Sequence, residues 1–127
     1  MLGKVILWMS ALLFIGYGLV SLFFPEVPAG LVDLKITNVD AAAEIRAIYG
    51  GLQIGIGLFC LLAAVNSDLY RAGLMLLVLG IGALALGRLY SILTTADSVT
   101  TYTNGALLFE LTIAVLAAVA LKIQNKN

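Results

Sequence analysis

Histidine is absent from the 127 residues, and cysteine occurs once, at Cys60. Ordinary zinc, haem and iron–sulfur ligation therefore has no ligand set, and a disulfide framework is impossible. Charge is equally scarce. Charged residues make up 11% of the chain against about 25% in an average globular domain. Seven Lys and Arg balance seven Asp and Glu, so no basic face exists for nucleic acid. Only two prolines occur, Pro25 and Pro28. What fills the chain is apolar: 62% hydrophobic residues, with a mean hydropathy of +1.10. A particle of 13.4 kDa is mostly surface and cannot hide that much apolar matter from water. Both a soluble globule and a disordered chain are excluded. The solvent this composition suits is a lipid bilayer.

A bilayer core about 30 Å thick needs roughly 20 apolar residues in helix. Four stretches qualify: 5–24, 41–64, 72–93 and 105–121. None alternates polar with apolar as barrel strands do. The length allows one domain, 1–127, so the expected fold is all-α, an antiparallel four-helix transmembrane bundle. The second link, 65–71, is about seven residues and forces neighbouring helices to run antiparallel. The first, 25–40, holds both prolines, and Leu31, Val32, Leu34 and Ile36 suit a short interfacial helix. Asp40 and Asn104 stand where N-caps of the second and fourth spans belong. The first run follows Lys4 and precedes Val27-Pro28-Ala29, as in a signal peptide, but its roughly twenty residues exceed an ordinary signal core. It is read as a spanning helix.

Orientation follows from Lys and Arg outside the spans. Lys4, Arg71, Lys122 and Lys126 share one side and Lys35 lies on the other, four against one. Both termini are expected in the cytoplasm. Trp8 and Tyr102 suit opposite interfaces.

Four ionisable residues interrupt the spans: Glu44, Arg46, Arg88 and Glu110. At 1.5 Å per residue, Glu44 lies about 4–5 Å below the outer end of its run and the other three about 7–8 Å below theirs. They are expected in one layer of zero net charge, with Tyr17, Tyr49, Gln53, Tyr90 and Ser91 at similar depth. An isolated charge costs roughly 2.5–3.5 kcal/mol near the bilayer centre, so pairing is the expected relief. Glu44 and Arg46 fall about 200° apart around one helix. The second helix is thus expected to be central, with Arg46, Gly50, Gln53 and Gly57 on one stripe and Glu44, Gly51 and Gly55 on another. Two readings stay open for the layer: electrostatic glue that fixes helix register, and a working site for protons or ligand head groups. Small-residue faces, Gly51-x-x-x-Gly55, Ala114-x-x-x-Ala118 and Gly80, Gly82 and Gly87, are expected to let helices approach closely within the chain. Cys60 reads as an apolar filler.

Tyr17-Gly18 leads to Leu22-Phe23-Phe24-Pro25 at the close of the first span. Glu44-x-Arg46-x-x-Tyr49-Gly50-Gly51 opens the second. Arg88-Leu89 comes late in the third and Phe109-Glu110-Leu111 early in the fourth. Over the whole chain this resembles a family of small four-helix bacterial membrane proteins catalogued as a domain of unknown function. That family is in turn distantly similar to DoxX-type membrane proteins, some of which are associated with quinone-linked oxidoreductases. The resemblance implies four spans in a bacterial inner membrane and draws attention to Glu44, Arg46, Arg88 and Glu110. It implies no activity and no cofactor.

Three functions are compared. The first is a non-enzymatic accessory subunit, scaffold or assembly component, since no soluble domain, metal ligand set or nucleophile–base pair is present. The second is a protein that binds or acts on an amphipathic ligand, a lipid or quinone, at the polar layer. The third is a small transporter, which ranks last because the first helix carries no membrane-embedded Glu. Whether the chain is an enzyme is not decided by the residues. The expected partners are the lipid bilayer and other membrane subunits or a second copy of the chain, with no nucleic acid.

Overall fold

The computed structural model of the protein is all-helical and describes residues 1–124. The helices are α1 (Leu2–Phe23), α2 (Glu26–Leu31), α3 (Val39–Val65), α4 (Ser67–Thr94) and α5 (Thr101–Gln124). Four of them, α1, α3, α4 and α5, are long and apolar enough to cross a membrane. They have 22, 27, 28 and 24 residues and mean hydropathies between 2.0 and 2.2. Lys126, one of the cations counted for orientation, lies outside the described residues.

α3, α4 and α5 overrun their apolar stretches at both ends, because backbone hydrogen bonding continues through polar residues, whereas α1 begins earlier and stops one residue short of 24. Asn38, not Asp40, caps α3. Its backbone is extended and its Oδ1 accepts from Ala41 N at 2.8 Å. Asp40 falls in the first turn, where a negative charge suits the helix dipole. Asn104 lies inside α5, and the cap role passes to Thr100, whose Oγ1 accepts from Thr103 N at 3.5 Å. The expected seven-residue second link shrinks to Asn66 alone. This residue breaks α3 with an extended backbone and accepts from Asp68 N at 2.9 Å to start α4.

Pro25 has no N–H to continue α1, which ends before it. Both prolines then serve α2, Pro25 at its N-cap and Pro28 in its first turn, where N–H groups have no intrahelical partner. The short helix thus sits upstream of the expected 31–36 region and shares only Leu31 with it. It ends in a Schellman turn: Leu34 N donates to Ala29 O at 2.9 Å and Asp33 N to Gly30 O at 3.4 Å. Asp33 occupies the left-handed position, with φ 54°.

The chain forms two compact units. In Trp8–Leu62, small residues carry the packing of α1 on α3. Ser10, Ala11, Phe14, Gly18 and Ser21 are buried on α1, and Ile45, Gly50, Gly57 and Cys60 on α3. A Cβ at Gly50 would lie 3.0 Å from Leu22 Cα, and one at Gly57 2.8 Å from Ile15 N. Only missing side chains allow backbones this near. The expected Gly51/Gly55 face is corrected: both glycines are exposed, and nothing lies within 4 Å of a Cβ at Gly55. The face that meets α1 is the other expected stripe, Gly50 and Gly57, seven residues apart on one side of the helix, and Gly51 and Gly55 stand off to another side.

The second unit comprises Met1–Leu7 and the chain from Ala63 onward. Gly3 faces Tyr70 and Leu74, and Gly73 faces Ala63 and Leu7. Leu74, Leu77, Ile81 and Ala85 form the buried stripe of α4, and Glu110, Ile113, Ala117 and Ala120 that of α5. The spacing is three and four residues throughout, one helix face. Ala118 is exposed and Ala114 half-buried, so the expected Ala114/Ala118 face lies beside the seam rather than on it. Large apolar side chains are bare on the other faces. Leu12 is 69% exposed, Leu79 66% and Leu108 69%, as suits contact with lipid rather than water.

Candidate functional site

Arg88 and Glu110 continue the two buried stripes of the second unit. Arg88 follows Leu77, Ile81 and Ala85 by one more helical step, and Glu110 begins the stripe that runs to Ala120. The seam thus changes from apolar to ionic within one turn. Arg88 Nε donates to Glu110 Oε2 at 3.0 Å, and Nη2 donates to Oε1 at 2.8 Å. Both carboxylate oxygens face the planar guanidinium fork, the strong bidentate form of ion pair. The Glu110 side chain is 7% exposed and that of Arg88 is 23%. A carboxylate this buried requires a partner, and Arg88 supplies one.

A cavity of about 470 Å³ opens beside the pair. Ala83, Leu84, Gly87, Arg88 and Ser91 line it from α4, Val99 from the following link, and Thr103 from the first turn of α5. Ala83, Gly87 and Ser91 recur every four residues, a strip of small side chains down one face of the helix. Gly87 was expected to serve close helix packing. It is instead exposed, and a Cβ there would meet nothing within 4 Å. Gly80 is likewise open apart from a side chain of its own helix, whereas Gly82 faces Ala114 at 3.8 Å.

The other candidate residues lie in Trp8–Leu62. Arg46 is exposed, and its Nε donates to the carbonyl of Leu22 at 3.2 Å. That carbonyl belongs to the last turn of α1, where backbone acceptors run short of intrahelical donors and the dipole is negative. Arg46 therefore ties the C-terminal end of α1 to the π-helical stretch of α3. Glu44 is exposed near the start of α3. Tyr17, Tyr49 and Gln53 are half-buried, and Gln53 Oε1 is buried without a hydrogen-bond partner among the described residues. Among those residues no three His, Cys, Asp or Glu side chains gather as a metal set.

Of the sequence candidates, the structure joins Arg88 to Glu110 directly and sends Arg46 to a backbone carbonyl. Val99 and Thr103, which line the cavity, carried no sequence signal. The four-residue repeat Ala83, Gly87, Ser91 immediately around Arg88 was the one available clue to its wall.

These features define a class: an all-helical chain with four helices long and apolar enough to span a membrane, and a part-buried ion pair on a helix seam. Within it, a family model matches residues 2–121, from the first turn of α1 into the last turn of α5. The chain belongs to that family, described as "Domain of unknown function (DUF4345)". Searches of curated proteins and of solved structures gave no match.

Proposed function

We propose that the protein is a non-enzymatic accessory, scaffold or assembly component of the bacterial inner membrane. It is a single transmembrane domain, an antiparallel four-helix bundle with both termini cytoplasmic, working among lipids and other membrane subunits or a second copy of itself. The contacts Gly82–Ala114 and Arg88–Glu110 support antiparallel neighbours, since residue numbers rise on one helix as they fall on the other. Gly50–Leu22 and Gly57–Ile15 do the same for α3 and α1. The Lys and Arg distribution supports the orientation. Glu44, Arg46, Arg88 and Glu110, with Tyr17, Tyr49 and Gln53, make up the polar layer on the strength of their depth in the apolar runs. The Glu44-x-Arg46-x-x-Tyr49-Gly50-Gly51 segment supports a distant DoxX-type kinship.

The observation that carries the structural role is the bidentate Arg88–Glu110 pair, in which the buried carboxylate is held by two bonds on the helix seam. Complementation tests it. Cells lacking the chain should be rescued by a folded double variant, Arg88→Met with Glu110→Leu, as well as by the wild type. Loss of rescue by the folded double variant would mean that the charges act in chemistry. A second reading, binding of an amphipathic ligand, is supported by the open cavity beside Arg88.

A further inference from the structure

We propose that the cavity beside Arg88 is a site for a neutral acylglycerol. Its hydroxyl or ester oxygens lie at Ser91 and Thr103, and the start of its chain lies along Gly87, Leu84 and Ala83. This rests on the ligand-binding reading and names its ligand class.

Polarity along the cavity is graded as it is in such a molecule. From Ala83 to Ser91 the wall runs about 12 Å along α4. Ala83, Leu84 and Gly87 form the apolar part, and Arg88 and Ser91 come next, toward the end of the helix at Thr94. Val99 and Thr103 close that polar end from the next link and α5. The volume of about 470 Å³ is that of an open groove, since none of the residues lining it is fully buried.

Charge decides the head group. Arg88 is the one charged residue among those lining the cavity, and Glu110 matches it with a bidentate pair. Arg88 and Glu110 sum to zero charge, so a phosphate would find no net positive charge there and would sit beside the carboxylate. A hydroxyl or ester head needs no counter-charge, and Ser and Thr hydroxyls both donate and accept. Gly87 is part of the wall itself, and a Cβ there would meet nothing within 4 Å. Its missing side chain leaves room in the cavity.

The test uses the full chain in detergent micelles with a diazirine-bearing monoacylglycerol, adducts being mapped by mass spectrometry. Adducts should concentrate within residues 83–103. Monoolein in about tenfold excess should remove them, and oleoyl lysophosphatidic acid at the same level should not. Gly87→Leu should lower adduct yield about tenfold while the melting temperature is kept or raised. Should that variant fail to fold, Ser91→Ala with Thr103→Val decides the same question by losing most of the adduct. Adducts spread evenly over the helices, or undiminished in a folded variant, would overturn the site and the ligand-binding reading with it. Adducts confined to 83–103 but displaced as well by lysophosphatidic acid would overturn the neutral head group and leave ligand binding standing.

Discussion

Replacing Arg88 by Leu removes both donors of the seam ion pair at once. Glu110, whose side chain is 7% exposed in the pair, is left with no guanidinium against it. Breaking a buried pair from one side costs about 3–5 kcal/mol, most of it the penalty of an uncompensated charge. The lower end, about 3 kcal/mol, is expected here, since the pair opens onto the cavity and water can reach its rim. Glu110→Leu should cost less, about 1–2 kcal/mol, because Arg88 is already 23% exposed and its long side chain can swing outward. The double variant Arg88→Leu with Glu110→Leu should return to within about 1 kcal/mol of the wild type, as buried pairs replaced by apolar residues commonly do. Unfolding in mixed micelles of increasing denaturing-detergent fraction gives the four free energies of the cycle. A coupling of about 2 kcal/mol or more would match the geometry. Additive losses would show that the two side chains stabilise the fold independently and would refute the seam argument.

Gly57→Ala places a methyl 2.7 Å from Ile15 Cγ1 and 2.8 Å from its backbone nitrogen, and should destabilise by about 1–3 kcal/mol in the same assay. Gly55→Ala, with nothing within 4 Å, should be neutral or slightly stabilising. Asn38→Ala removes the cap of α3 and should cost about 1 kcal/mol, whereas Asp40→Asn in the first turn should cost no more than about 0.5 kcal/mol. Asp33→Gly relieves a non-glycine residue at φ 54° and should stabilise by up to about 1 kcal/mol in thermal melts.

The four long helices were legible because a bilayer imposes a length on apolar runs that no soluble core imposes. The Arg88–Glu110 contact was legible too: each charge interrupts an apolar run at a similar depth, and a charge there needs a partner. Gly50 and Gly57 were legible as one stripe and Gly51 and Gly55 as another, but which of the two meets α1 was not, because a small-residue spacing marks a smooth face without saying what lies against it. Arg46 was expected among carboxylates and instead meets the Leu22 carbonyl, an acceptor present at every helix end and invisible to a reading of side chains. The single-residue break at Asn66 was hidden because Ser67–Arg71 is polar enough to look like a loop while its backbone is helical. The cavity depends on how the link 95–100 folds back beside Gly87, and sequence spacing does not report that.

The proposed four crossings would put residues 95–100 and the C-terminal end on opposite sides of a membrane. Single cysteines at Asp97 and at Lys126, in a Cys60→Ala background, test this with a membrane-impermeant maleimide on intact cells. Asp97→Cys should label fully, and Lys126→Cys should label only after the cells are opened. Labelling of both from outside, or of Lys126→Cys alone, would contradict this topology.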